Sequence, residues 1–122
     1  FIDDDEIDQL FYRRNIVQAG MIDKSFHFFK AEEALDFVNS GNCPEIDVVV
    51  LDVRMPGMDG FEFLKRLAES SQRHAIRAVA VMMTVPLSEH DKAQMSASDL
   101  APTFLNKPLD IEKLREVAIS AE

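Results

Sequence analysis

One cysteine, Cys43, stands alone among 122 residues, which excludes an internal disulfide and any zinc site built on cysteines. A lone thiol fits a reducing, cytoplasmic setting. No apolar run approaches the ~20 residues that a membrane helix requires. The opening Phe1-Ile2-Asp3-Asp4-Asp5-Glu6 is acidic where a secretion signal is basic. Basic residues are scarce: 13 Lys and Arg against 22 Asp and Glu give a net charge of −9. That balance argues against holding DNA, RNA or anionic lipid through a general electrostatic footprint. It leaves room for a cation or a basic protein surface. Stretches rich in Pro, Gly or Ser are missing, and no segment repeats, so residues 1–122 read as one domain without a linker. What is present suffices for a core without staples: 47% of residues are apolar and 29% charged, the balance of a globular chain.

Apolar runs alternate with helical patterns, the signature of a parallel α/β sheet. Phe1-Ile2 reads as the end of a first strand that begins upstream. Ile7, Leu10, Phe11 and Val17 fall near helical spacing, which predicts a helix over 6–18 ending near Gly20. Residues 25–30 (SFHFFK) predict a second strand. A second helix follows over 31–39, with Ala34, Leu35 and Val38 inward and Gly41 as its stop. Residues 47–53 (DVVVLDV) form an unbroken apolar stretch, as expected of a central strand covered on both faces. Asp59 caps a helix running to about Ser70, with Glu62 three residues on completing a capping-box pattern. Residues 77–84 predict a fourth strand. Ser88 and Asp91 open a fourth helix whose apolar stripe is poor, only Ala93, Ala97 and Leu100 lining up. Residues 103–106 predict a short fifth strand, and Asp110 caps a last helix with Ile111, Leu114 and Ala118 inward. Five strand–helix units with right-handed crossovers give an open, doubly wound sheet, which binds ligands at the carboxyl ends of its strands.

Those ends carry chemistry. The first strand ends in Asp3-Asp4-Asp5-Glu6, the third at Asp52, the fourth at Thr84 and the fifth at Asn106-Lys107-Pro108. Asp3, Asp4 and Asp52 would converge, and two carboxylates ~4 Å apart repel by roughly 4 kcal/mol at an effective dielectric near 20. Such a cluster protonates or binds a cation. Oxygen ligands without His or Cys favour Mg²⁺ or Mn²⁺ over zinc. Taken singly, each feature has an ordinary explanation. The acidic run can be a solvated helix start, Lys107 a loop lysine and Thr84 a strand residue. A carboxylate closing a buried strand is costly unless used or paired, and this favours the chemical alternative.

The stretch DVVVLDVRMPGMDGFEFL, preceded by an acidic pair and followed by a strand-ending Thr and a Lys-Pro, resembles the receiver domain of two-component response regulators. The resemblance covers essentially the whole chain. It implies a flavodoxin-like (βα)5 fold with a five-stranded parallel sheet in the order 2-1-3-4-5. It also implies a phosphoacceptor in a phosphorelay rather than an enzyme with an external substrate, catalysing only its own phosphotransfer and dephosphorylation. By position, Asp52 would take a phosphoryl group from a histidine kinase or a histidine phosphotransfer protein. Asp3 and Asp4 would hold Mg²⁺ with Asp52 and the backbone carbonyl of Arg54, Asp3 partly through water. Thr84 would bond the phosphoryl group, Lys107 would pair with it, and the bond to Pro108 would be cis. Phe104 would change rotamer on activation. The fourth helix, fifth strand and last helix would then form the output face, toward a partner, an output domain or a second copy. Nucleic acid and membrane are not expected partners of this domain.

Two departures stand out. Val85 and Pro86 follow Thr84 where the family has a small residue, so Val85 is expected to narrow the approach to Asp52. Leu100-Ala101-Pro102-Thr103 replaces a Gly-Ala-Asp-Asp-like stretch before Phe104. Three other classes compete. A flavin carrier of the same winding needs a hydroxyl- and glycine-rich phosphate loop where this chain has acids. A metal-dependent phosphohydrolase places a second acid where this chain has Arg54, and needs a capping insertion that has no room here. A degenerate receiver that binds partners without phosphorylation is the nearest alternative, and intact Asp52, Thr84 and Lys107 count against it.

Overall fold

The computed structural model describes residues 1–20, 25–96 and 100–120. Helix α1 spans Glu6–Gln18, α2 Ala31–Asn39, α3 Gly60–Glu69, α4 Glu89–Ser96 and α5 Ile111–Ser120. Strands β1 (Val49–Asp52), β2 (Val79–Met83) and β3 (Thr103–Asn106) form a parallel sheet in that order. Val49 faces Val79 across the first ladder, and Ala80 faces Thr103 across the second. All residues of β1 and β2 are buried, which explains their unbroken apolar sequence: helices cover both faces.

The two faces are filled by different residues because side chains alternate along a strand. Leu51 and Val81 point into the layer containing Ala34 and Val38 of α2, Phe63 and Leu67 of α3 and Met95 of α4. Val50, Ala80 and Met82 point the other way, against Tyr12 of α1 and Leu114 of α5. A fully buried Leu, Val or Phe contributes roughly 1.5–3 kcal/mol, so these two layers hold the sheet.

The first two predicted strands are not regular strands. Each is reduced to isolated parallel bridges, Ile2 with Phe28 on one side and with Leu51 on the other. The backbone bonds Ile2 N–Val50 O (2.8 Å), Asp52 N–Ile2 O (2.9 Å) and Asp3 N–Phe28 O (3.1 Å) still tie these segments to the edge of β1. The third and fourth strands are shorter than predicted at both ends.

All five helices lie where the sequence places them, but α1 is turned. Ile7 and Val17 are 78% and 63% exposed, and Leu10 and Phe11 also face outward. The buried face is Gln9, Tyr12 and Ile16. In α4 the buried residue is Met95, Ala93 is exposed, and Ala97 lies outside the described residues. In α5 Val117 is buried beside Leu114, with Ile111 and Ala118 only half-buried.

Side-chain caps close the starts of four helices, with Asp59 capping α3 as expected. Asp5 Oδ1 accepts from the amides of Ile7 and Asp8, Asp59 Oδ1 from Glu62, Ser88 Oγ from Asp91 and Asp110 Oδ1 from Glu112. Glu62 pairs with Arg66 one turn on (3.0 Å).

Two glycines shape the loop between β1 and α3. Gly57 has φ +76°, a conformation that side chains rarely adopt. Gly60 presses the start of α3 onto the end of β1, and a Cβ there would lie 2.9 Å from Val53 Cα and 3.1 Å from Asp52 O. Both obstacles are backbone, so they cannot yield by a rotamer change. Gly60→Ala is therefore expected to lower stability by about 1–3 kcal/mol, measured by urea melts. Stability equal to that of the parent would show that α3 does not need this close approach.

Candidate functional site

Backbone pairing places four chain segments at one end of the sheet. Asp52 is the last residue of β1, and its amide bonds to Ile2 O, directly before Asp3. Lys107 follows β3, and its amide donates to Met83 O at the end of β2 (2.9 Å). Thr84 follows β2. One carboxylate oxygen from each of Asp3, Asp4 and Asp52 lies within 4.8 Å of the other two. Asp3 is wholly buried, Asp52 is buried and Asp4 is exposed.

Lys107 Nζ stands among these acids. It lies 2.7 Å from Asp8 Oδ2, 3.1 Å from Asp3 Oδ2 and 3.3 Å from Asp52 Oδ1. Asp3 is also held from its own side. Its Oδ1 accepts from the Asp5 amide (3.0 Å), and its Oδ2 accepts from the buried hydroxyl of Tyr12 (2.8 Å). Gln9, buried beside it, donates from Nε2 to the carbonyls of Asp3 and Phe28 (both 3.0 Å). Its Oε1 faces His27 Nδ1 at 2.8 Å. Burial pushes the His27 pKa down to about 4, so the ring is neutral near pH 7.

The charges respond to this crowding. Burial, with the charge of Asp3 next, pushes the Asp52 carboxyl up to about 6; Lys107 partly opposes the rise. Burial also raises Asp3, against the pull of the Asp5 amide, Tyr12 and Lys107. Burial lowers the Lys107 pKa, but its hydrogen bonds to Asp8 and Asp3, together with the charges of Asp3 and Asp52, outweigh that and raise it. At neutral pH, Asp52 is ionised and Lys107 is charged.

An oxygen-only set of three acids fits a hard divalent cation such as Mg²⁺. Asp3 fits support through water better than direct ligation, because both its oxygens already accept hydrogen bonds.

The other residues expected here are placed as follows. Arg54 is exposed in the loop after β1 and lines an open groove together with Asp59, Asp91 and Gln94. Thr84 is exposed, and Val85 beside it is 66% exposed. Phe104 is half-buried on β3 against the core, with Lys92 Nζ of α4 5.8 Å from its ring centre. The peptide bond between Lys107 and Pro108 is cis. In the departing stretch, Ala101 has φ +33°, and Pro102 is buried.

Asp8, Tyr12 and Gln9 were not foreseen. Neither was Glu32 of α2, whose Oε1 accepts from the Met58 amide (2.7 Å) and steadies the loop after β1. The signals were present but weak. A Gln and a Tyr three apart on one helix, next to an acidic strand end, form a polar inner face that apolar periodicity does not register.

Comparison with known proteins agrees with this geometry. Residues 1–119 match the family model described as the response regulator receiver domain. Sporulation initiation phosphotransferase F of Bacillus subtilis (strain 168) is 30% identical over 93 residues, covering 76% of this chain and 71% of that protein. The DNA-binding transcriptional regulator NtrC of Escherichia coli (strain K12) is 34% identical over 122 residues, covering 98% of this chain. The match spans only 24% of that regulator's length. Among solved structures, a response regulator receiver protein from Dyadobacter fermentans DSM 18053 superposes with a TM-score of 0.82 at 26% identity, covering 98% of this chain and 93% of that one.

The raised pKa of Asp52 has a signed consequence for the metal-free protein. The folded chain binds this proton more tightly than the unfolded chain does, where the pKa is near 3.8. Ionised Asp52 therefore costs stability above about pH 6, and the cost fades as pH falls toward 3.8. Asp52→Asn should be about 1–2 kcal/mol more stable than the parent near pH 8, allowing for solvent screening. The gain should vanish by about pH 4. Thermal melts across this range, without divalent metal, check it; a gain independent of pH would mean that packing, not charge, is relieved.

Proposed function

We propose that this chain, which belongs to the response regulator receiver family, accepts a phosphoryl group from a phosphohistidine on Asp52 and switches a protein surface in response. One observation carries the proposal: three carboxylates and an ammonium from three chain segments converge at the strand ends, with Lys107 3.3 Å from Asp52. In the reaction, an ionised Asp52 oxygen forms a bond to phosphorus as the bond to the donor imidazole nitrogen breaks. The electron pair stays on that nitrogen. Lys107 and Thr84 would supply donors to two of the phosphoryl oxygens. Asp4, Asp52 and the Arg54 carbonyl would hold Mg²⁺, with Asp3 in support. A bound Mg²⁺ would neutralise charge on the transferring group.

A histidine kinase or a histidine phosphotransfer protein is the donor in this reading, and cytoplasm is the setting. In this reading Phe1-Ile2 and residues 25–30 are the two further strands of a five-stranded sheet in the order 2-1-3-4-5, which the bridges at Ile2 support. Phosphorylation adds about −1.5 to −2 charges and three acceptor oxygens, drawing Thr84 inward and letting Phe104 turn into the space beside α4. The poor anchoring of α4, one buried residue in eight, makes it the element that moves. The face of α4, β3 and α5 then meets a partner, an output domain or a second copy.

Incubation with Mg²⁺ and acetyl phosphate should add the mass of one phosphoryl group to the intact protein, and none to Asp52→Asn. Asp4→Asn should bind Mg²⁺ at least tenfold more weakly by calorimetry, the cost of about 1.4 kcal/mol for a lost ligand. An unmodified parent protein would favour a phosphorylation-independent binding module. For the switch, Phe104→Ala should keep its phosphorylation while amide shifts induced by beryllofluoride no longer reach residues 88–96. Shifts confined to the strand-end loops in the parent protein would overturn the switch.

A further inference from the structure

We propose that Asp8, in the first turn of α1, is a positioning residue that competes with the phosphoryl group on Asp52 for the ammonium of Lys107, and so weakens the hold of the site on its phosphorylated form. This rests on the phosphoacceptor reading and names a regulator within it. A lysine ammonium has three N–H donors and no more. Here three carboxylates share them, and the shortest contact is to Asp8 (2.7 Å), not to Asp52 (3.3 Å). Lys107 is largely enclosed, its side chain 16% exposed, so little water is at hand to replace a partner it gives up.

The two remaining partners differ in what release would cost. Asp3 is wholly buried and pinned by the Asp5 amide and the Tyr12 hydroxyl, and without the ammonium it would be left as a buried charge short of a countercharge. Asp8 has a side chain 32% exposed at the helix surface, and water can take over its charge. A phosphoryl group takes the place of the Asp52 carboxylate among the three acceptors, and the ammonium, which now sits closer to Asp8 (2.7 Å) than to Asp52 (3.3 Å), must move toward it. Asp8 is therefore the contact that lengthens, and the part of this ion pair that is lost is subtracted from the strength with which the phosphoryl group is bound. Asp8 thus acts through Lys107 and touches no reacting atom.

The test is the affinity for beryllofluoride, a phosphoryl mimic, at saturating Mg²⁺. Asp8→Asn keeps the size of the side chain and removes its charge. It should bind the mimic about fivefold more tightly, the factor that a partly exposed ion pair is worth. Asp8→Glu keeps the charge within reach of Lys107 and should stay near the parent affinity. In a Lys107→Met background, Asp8→Asn should have less than twofold effect, since there is no ammonium to release. A loss of structural support would weaken binding rather than strengthen it, so the direction of the change separates the two roles. An unchanged or lowered affinity in Asp8→Asn overturns the inference. An equal gain in the Lys107→Met background overturns it too, because Asp8 would then act as a general negative charge. If Lys107→Met does not fold by circular dichroism, a gain in Asp8→Glu equal to that in Asp8→Asn is the overturning result. Absence of any beryllofluoride binding by the parent protein would remove the phosphoacceptor reading itself, and this inference with it.

Discussion

A carboxylate with no exposed surface, Asp3, sets the terms for the rest of this fold. Taking an ion out of water costs several kcal/mol even after relaxation, and the cost is offset only when every lone pair finds a donor. Asp3 receives three: the Asp5 amide, the Tyr12 hydroxyl and the Lys107 ammonium. Each comes from a different level of structure. The amide belongs to the turn after Asp3, the hydroxyl to helix α1, and the ammonium to a loop 104 residues away. Folding the two ends of the chain together is thus a condition for keeping this charge inside.

The same constraint turns α1. A helix lying on a sheet ordinarily buries its apolar stripe. Here Gln9 and Tyr12 are needed inside. Gln9 serves the carbonyls of Asp3 and Phe28, backbone that no regular ladder pairs at this edge, and Tyr12 serves the carboxylate. Their rings and stems still make an apolar contact, since Phe1 stacks between Tyr12 and His27 at 5.0 Å from each. Ile7, Leu10, Phe11 and Val17 are left outside as a result. Satisfying buried polar groups outranked burying four apolar side chains, as expected when an unpaired buried polar group costs about as much as an apolar side chain gains.

This ordering of effects explains what could be read from the chain. Asp52 was legible because an acid closes a run of Val and Leu, a pattern that makes sense only for a strand aimed at a site. The face of α2 was legible from its periodicity, Ala34, Leu35 and Val38 all being buried, and the start of α3 was legible because Asp59 falls at its cap. The orientation of α1 was not legible. Periodicity counts apolar residues and has no term for a carboxylate that must be served. Asp8 was missed for another reason. In sequence it is one more acid in a helix's first turn, where acids are common. Only the return of the chain 99 residues later puts an ammonium against it. The first two strands were legible in place but not in length: SFHFFK has strand composition, yet within it only Phe28 forms a bridge, to Ile2.

The charge count at the strand ends links this architecture to what the site can do. Asp3, Asp8 and Asp52 share the Lys107 ammonium and Asp4 stands beside Asp3 and Asp52, so these acids outnumber the ammonium they surround and the cluster is electronegative before any ligand arrives. Such a cluster repels an anionic phosphoryl donor unless a cation joins it, which ties the proposed chemistry to divalent metal without any special gating device. It also makes the ammonium the scarce resource. Asp3 uses it to stay buried, Asp8 to neutralise a helix surface, and Asp52 to remain ionised near neutral pH despite a pKa pushed up to about 6. A group that binds at Asp52 changes the distribution of one cation among these claimants. Asp3 is tied through Tyr12 to α1, and Lys107 through its amide to the end of β2, so the ammonium that offsets the buried charge of Asp3 also joins the start of the chain to the loop after β3.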